Sequence, residues 1–347
     1  MTAQPSLTIA PNKIDLTILS AAGCTYYMDA ESISTAASGF CRSFGCCFTQ
    51  NPKDSLMKIL LSLVINMKAT MKYLTGIAGP SGYGSKSTAE KVTQDCVCSM
   101  PTISQLTAII SGATSGIGAE TARVLANHGV RVIIPARDLI KAAEVKECIQ
   151  KESPAAEIIL LEMDLSSFAS IQKFCSDFLS LGLPLHILIN NAGIYSHRLE
   201  YSEDKIEMTF ATNYLGHFLL TEILLRKMVE TAAESGIQGR IINVTSVIHK
   251  WVKKEDFCFS KMLNPKSYNA AHAYAQSKLA NILHAKELAR KLKGAATTCY
   301  VALSPLMGAV SGNYFADCNE SRCSALANDE IEARKLWEQT HHTFTKR

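Results

Sequence analysis

Ser111-Gly112-Ala113-Thr114-Ser115-Gly116-Ile117-Gly118 follows the apolar run Leu106–Ile110 and opens the helical pattern Ala119–His128. Strand, glycine turn and helix in that order bring backbone N–H groups and the positive end of a helix dipole to one point. With no bulky side chain in the way, a diphosphate can approach the main chain there. A second glycine-spaced stretch, Gly79-Pro80-Ser81-Gly82-Tyr83-Gly84, has no strand before it and no helix directly after it, and reads as a linker. From Leu106 onward, strand-like segments near 106–111, 130–135, 157–163, 186–190 and 240–245 alternate with helical patterns over Ala119–His128, Asp138–Lys151, Ser167–Leu181, Glu203–Glu234 and Ala271–Lys293. That alternation predicts an α/β fold, a doubly wound parallel sheet flanked by helices, with its ligands at the carboxyl ends of the strands.

Tyr274-Ala275-Gln276-Ser277-Lys278 places a phenol and an ammonium four residues apart, on one face of a helix, where the ammonium favours the phenolate. The spacing alone decides nothing, since Tyr201 and Lys205 repeat it. Context separates the two pairs. Upstream of Tyr274 runs Arg240-Ile-Ile-Asn-Val-Thr-Ser246, a strand that delivers a hydroxyl at its end, and Asn213 lies before that; Tyr201 has no preceding serine strand.

With these motifs in this order, the stretch from about Leu106 to Lys293 resembles the short-chain dehydrogenase/reductase superfamily. The long Ser246–Tyr274 spacing, the run Ala273–Asn281 and the segment Gly82–Thr93 resemble its retinol-dehydrogenase-like branch, and within it plant members linked to the chloroplast inner-envelope protein-import translocon. The resemblance implies a Rossmann-type domain with a catalytic tetrad of Asn213, Ser246, Tyr274 and Lys278. It implies a cofactor site made by Ser111, Gly112, Thr114, Ser115, Gly116, Ile117 and Gly118 of the phosphate turn, with serine in place of the family's usual first threonine. Arg137, Asp164 and Leu165 by the adenosine, Asn191, Ala192 and Gly193 after the fourth strand, and Tyr274 and Lys278 themselves complete that set. In the implied chemistry, hydride passes between a nicotinamide and a carbonyl carbon. Tyr274 donates the proton, its phenol ionising more readily than the ordinary value of about 10, with Lys278 and the cationic nicotinamide supplying the positive field. Ser246 hydrogen-bonds the substrate oxygen, and Asn213 fixes a water leading from Lys278 to solvent.

NAD-preferring members of this fold carry an acid at the end of the second strand, whereas a nearby arginine accommodates the 2′-phosphate of NADP. Here the strand reads Val130-Arg-Val-Ile-Ile-Pro-Ala136-Arg137-Asp138, and Asp138 is placed to cap the next helix. NADP(H) is therefore expected over NAD(H), with a solvated Arg137 as the alternative.

Composition narrows the other classes. The chain has 347 residues, 47% hydrophobic and 19% charged, enough for a substantial core. A net charge of +4 without a basic block argues against a nucleic-acid surface. The twelve cysteines show no CxxC or Cys/His ligand spacing and read as reduced thiols of an intracellular protein, with no metal site expected. Asn243-Val244-Thr245 fits a glycosylation sequon but lies inside a buried strand. The run Leu56–Ile65, interrupted by Lys58 and Ser62, is too short to span a bilayer, so no transmembrane segment is expected. The partners expected are a small carbonyl or alcohol substrate and a second copy in a homodimer. Translocon or calmodulin contact is implied by the resemblance alone, since Asn328–Arg347 offers a mixed-charge helical pattern and nothing more. The same resemblance implies a chloroplast location, with the cytoplasm as the alternative.

Three regions follow: an extension over 1–66, an arm and linker over 67–104, and the dinucleotide-binding domain over 105–347. The extension is rich in small and hydroxyl residues. It reads either as a plastid transit peptide, although Asp15, Asp29, Glu31 and Asp54 spoil the acid-poor signature, or as a disordered or non-native start ahead of Met67. After Lys293 the chain departs from the family. Gly294 leads at once into Ala295–Pro305, which resembles the end of a later helix, and Val310–Asp317 resembles the last strand. A crossover to a parallel neighbour needs a dozen or more residues, so one C-terminal strand and a substrate loop are expected to be missing. The competing reading makes Thr298–Leu303 a substitute strand, with Pro305 and Gly308 imitating the following turn. Two functions stay open at this point: an NADP(H)-dependent carbonyl or alcohol oxidoreductase, and a catalytically impaired variant that binds only nucleotide or a partner.

Overall fold

The structure is a computed structural model that describes residues 14–20, 75–97, 103–303, 313–316 and 319–345. They divide into a larger unit, holding 14–20, 88–97, 103–303, 313–316 and 320–345, and a second, of which 75–87 and 319 are described. In the second, the stretch read as a linker forms a turn: Gly79 N–H donates to Tyr83 O (2.7 Å) and Gly82 N–H to Gly79 O (3.0 Å).

The strands form one sheet in the order β4-β3-β2-β5-β6-β1-β7-β8. Its strands are β1 (Ile14–Ser20), β2 (Thr107–Ile110), β3 (Arg131–Ala136), β4 (Ile158–Glu162), β5 (Ile187–Asn190), β6 (Gly239–Thr245), β7 (Asn313–Ala316) and β8 (Asn319–Glu320). From β4 across to β7 every neighbouring pair is parallel. Thr107–Ile110 are all buried, and so are five of the six residues of β3, because helices cover both faces of the sheet. The helices are α1 (Ala89–Val97), α2 (Gly116–Asn127), α3 (Leu139–Glu152), α4 (Phe168–Ser180), α5 (Gly216–Ser235), α6 (Phe259–Leu263), α7 (Ala270–Leu303) and α8 (Glu330–Thr345). Side chains of α4, α5, α7 and α8 share one core, in which Phe174, Phe178, Phe218, Leu224, Leu283 and Trp337 are buried together. Neither α2 nor α3 contributes to that core; they pack on the β2–β3–β4 side of the sheet.

Two expectations change here. The first concerns the extension: Ile14–Ser20 is a strand of the domain, not a segment outside it, while the rest of 1–66 lies outside the described residues. It pairs in parallel with β6 from Ile14↔Gly239 to Ser20↔Thr245 and with β7 from Thr17↔Asn313 to Ser20↔Ala316. The segment between α7 and β7, where a C-terminal strand was expected to be missing, lies outside the described residues. The place beside β6 is taken from the other end of the chain. Ladder bonds need an extended partner in register, not one adjacent in sequence, so a distant segment can supply them. The second correction concerns Thr298–Leu303. These residues continue α7 to Leu303 and form no substitute strand.

Candidate active site

The site begins at the carboxyl end of β2. Gly112 and Gly116 take positive φ angles of 67° and 55°, which glycine adopts without strain. A Cβ at Gly112 would come within 2.7 Å of the Ala192 main chain, and one at Gly118 would collide with the Gly112 carbonyl and the Asn191 amide. At Gly116 it would stand in open space. The turn is thus closed towards the protein and open outward, above the first turn of α2. Ser115 is the N-cap of α2, yet its side chain makes no capping bond. A glycine-walled cradle over an uncapped helix N-terminus fits a diphosphate.

Ser111 ties this turn to the next loop: its buried Oγ accepts the N–H groups of Asn191 (2.9 Å) and Ala192 (3.0 Å). Asn191 Nδ2 donates back to the Ser111 carbonyl (2.9 Å). At the end of β3, Ala136 is buried and Arg137 is exposed. Asp138 accepts the N–H groups of Ile140 and Lys141, both at 3.1 Å, and those bonds hold its carboxyl below its ordinary pKa. It caps α3, as its position suggested. Beyond β4, Asp164 Oδ1 accepts from the N–H (2.8 Å) and hydroxyl (2.7 Å) of Ser166, which fixes the carboxylate ahead of α4, while Leu165 is buried.

The tetrad candidates converge at β6. Asn213 lies in a π-helical turn, Ala211–Leu215, where the sequence pattern ran through as one uninterrupted helix. That turn aims the Asn213 amide away from its own helix. Its Oδ1 accepts from Ile194 N–H (2.8 Å), and its Nδ2 donates to Ile194 O (2.9 Å) and Ser277 Oγ (3.1 Å). Ser277 in turn donates to the carbonyl of Tyr274 (2.8 Å). Lys278 is buried; its Nζ donates to Val244 O (3.2 Å) and lies 5.5 Å from the centre of the Tyr274 ring. Thr245 Oγ1 donates to the Lys278 carbonyl (2.7 Å), clamping α7 to β6 one residue before Ser246. A Cβ at Gly193 would be 3.3 Å from Lys278 Nζ, so only a small residue there leaves the ammonium its path. Ser246 caps the 3-10 turn Val247–Trp251, and Tyr195 sets its ring edge-on to Tyr274 at 5.8 Å.

The other Tyr/Lys pair is placed quite differently. Tyr201 is exposed and donates to Asn264 Oδ1 (2.8 Å), and Lys205 takes a left-handed φ of 58°, so the two do not share a helix face. Asn243 of the sequon is buried, its amide accepting from Asn190 (2.8 Å).

Sequence reasoning passed over Ser277, which links Asn213 to Tyr274, and two buried histidines. His217 Nε2 lies 2.8 Å from Ser111 Oγ and its Nδ1 3.1 Å from Asn213 O. His249 Nδ1 lies 2.7 Å from Ser246 O, and its Nε2 accepts from Ser324 N–H (3.1 Å). Burial lowers both pKa values, that of His217 to about 4. The available signal was their spacing, four and three residues after tetrad candidates.

A glycine-turned cradle at the carboxyl end of a parallel sheet, with Asn213 joined to the Tyr274 carbonyl through Ser277 and Lys278 beside the Tyr274 ring, agrees with the family that the sequence matches: residues 106–304 match the short chain dehydrogenase family, to which the chain belongs. These are oxidoreductases that use a nicotinamide cofactor. Among the relatives, the chloroplastic short-chain dehydrogenase TIC 32 B of Brassica napus is 44% identical over 76% of this chain and 95% of its own. Retinol dehydrogenase 11 of Homo sapiens is 35% identical over 66% of this chain and 83% of its own. Among solved structures, an uncharacterized protein from Mycobacterium paratuberculosis is 28% identical, with a TM-score of 0.56 over 69% of this chain and 93% of that one.

Proposed function

We propose that the chain is an NADP(H)-dependent carbonyl or alcohol oxidoreductase. The observation that carries this reading is the connected set in which Asn213 reaches Tyr274 through Ser277 while Lys278 lies between β6 and the Tyr274 ring. The phosphate turn with the α2 N-terminus would hold the diphosphate, and Arg137 the 2′-phosphate. NADP(H), when bound, supplies or accepts the hydride. Tyr274 passes a proton to or from the substrate oxygen, and the buried ammonium of Lys278 favours the phenolate. Ser246 orients that oxygen. Asn213, its amide held by Ile194 and Ser277, would fix a water leading from Lys278 to solvent. The chloroplastic relatives support a plastid location, which a fluorescent fusion of the full chain would report.

Tyr274→Phe is expected to abolish NADPH-dependent reduction of an aldehyde such as benzaldehyde, with the dissociation constant for NADPH within about twofold of wild type. Tyr201→Phe should be silent. Equal loss in both would overturn the assignment. The competing reading, nucleotide binding without turnover, draws on the departure of the sequence from the family after Lys293; benzaldehyde reduction by wild type would exclude it. For cofactor choice, Ala136→Asp combined with Arg137→Leu should shift preference towards NADH, by installing a 2′-hydroxyl acceptor and removing the phosphate partner. Tighter binding of NADH than of NADPH by the wild-type chain would refute the NADP(H) assignment.

A further inference from the structure

His217 and His249 are each bonded at both ring nitrogens, and in each case the partners dictate where the single hydrogen sits. A carbonyl oxygen can only accept, so the Nδ1 atoms facing Asn213 O (3.1 Å) and Ser246 O (2.7 Å) carry the hydrogen. The Nε2 atoms then accept. For His249 the donor is the Ser324 backbone N–H at 3.1 Å, which has no other role to play. For His217 it is the Ser111 hydroxyl. That oxygen already accepts two N–H groups, so its own hydrogen must point outward, and Nε2 at 2.8 Å is nearer than Ile189 O at 3.3 Å. Both rings are fully buried, which favours the neutral form this pattern requires.

The two histidines thus repeat one device. Each holds the carbonyl of a tetrad candidate through Nδ1–H and uses Nε2 to anchor that residue to a different part of the domain. His217 joins the π-helical turn of Asn213 to the phosphate turn, and His249 joins the turn after Ser246 to the C-terminal segment at Ser324. We propose that His217 and His249 are positioning residues that set the main chain of Asn213 and Ser246 relative to the cofactor cradle and to the C-terminal segment. This rests on the roles given above to Asn213 and Ser246.

Isosteric amides separate the two halves of the device, because an asparagine amide nitrogen falls where Nδ1 lies and a glutamine amide oxygen can fall where Nε2 lies. His217→Gln keeps the Ser111 link and releases Asn213. It should lower kcat for benzaldehyde reduction roughly five- to tenfold, the value of one hydrogen bond, with the dissociation constant for NADPH within about twofold of wild type. His217→Asn keeps the Asn213 link and releases Ser111, so it should weaken NADPH binding by a similar factor with the smaller loss in kcat. His249→Asn should retain more kcat than His249→Gln. A purely structural role predicts that kcat and NADPH affinity fall together with the folded fraction in all four variants, or that glutamine matches or exceeds asparagine at position 249; either result overturns the proposal. Nitrogen NMR of the wild-type chain provides a test that no folding defect can obscure. Both rings should show hydrogen on Nδ1 alone at neutral pH, and hydrogen on Nε2 in either ring overturns the proposal. Full turnover by Tyr274→Phe would instead sink the functional reading while leaving the NMR result standing.

Discussion

The two sides of the sheet are assembled in different ways. On the side that carries the phosphate turn, β2, β3, β4 and β5 come from one stretch of chain, residues 107–190, with a helix after each of the first three strands. On the other side, β6, β1 and β7 come from residues 239–245, 14–20 and 313–316. On the first side each of β2, β3 and β4 leads directly into a helix, the repeating strand–helix unit of a parallel sheet. The second needs three distant segments to meet, and its inner strand arrives from the amino-terminal end. Nucleotide recognition therefore rests on a self-contained element, and the edge beside Ser246 on a composite one.

Deleting residues 1–20 tests this contrast with the largest expected effect. It removes the ladder on one side of β6 and of β7 at once, leaving strand edges and apolar helix faces uncovered. Hydrogen exchange should show protection lost in β6, in β7 and in the adjoining part of α7, whereas β2, β3 and β4 retain theirs. The tryptophans give an optical counterpart, since Trp251 follows β6 and Trp337 lies on α8, both outside the β2–β5 stretch. An unchanged exchange pattern would show that the domain does not depend on β1.

Acid should weaken the fold through two buried histidines. His217 and His284 are buried and neutral, with pKa values pushed down by burial to about 4 and about 3 from an ordinary 6.5. The unfolded chain thus binds protons that the folded one refuses. Stability from these groups is complete above pH 6.5 and is lost as pH falls below it, on the order of 2 kcal/mol per histidine by pH 5. Urea midpoints measured by tryptophan fluorescence between pH 8 and pH 5 should fall with that sign. A midpoint that rises on acidification would contradict the buried neutral rings.

What could be read from the sequence follows the same division. The phosphate turn, the Asp138 cap, the alternation of strands with helices and the order of the tetrad candidates are local or periodic signals, and each is visible within a dozen residues. The helix through Asn213 was legible, but not its π-helical turn, because one extra residue per turn leaves the apolar pattern nearly intact. Ile14-Asp15-Leu16-Thr17-Ile18 does alternate as a strand should. Its partners, however, lie more than 200 residues away, and nothing local announces which edge it will join. His217 and His249 carry a spacing signal that acquires meaning only once Ser111 and Ser324 are brought beside them.

The smallest effect is expected at His284, where the core of the composite half holds a polar atom with no partner. Its ring lies among Phe218 (4.8 Å between centres), Trp337 (5.5 Å) and Tyr214 (6.1 Å), and its buried Nε2 makes no hydrogen bond. An orphaned buried polar atom costs about 1–3 kcal/mol, and leucine, of similar volume, removes it at the expense of some ring contact. His284→Leu should therefore stabilise the protein by about 1 kcal/mol at pH 8. The variant also removes a group that resists protonation, so its advantage over wild type should grow as pH falls, by on the order of 2 kcal/mol by pH 5. Urea denaturation of both proteins at the two pH values measures this difference directly. A gain independent of pH would mean that His284 is not the proton-refusing group, and a loss at pH 8 would mean that its ring contacts outweigh the unpaired nitrogen.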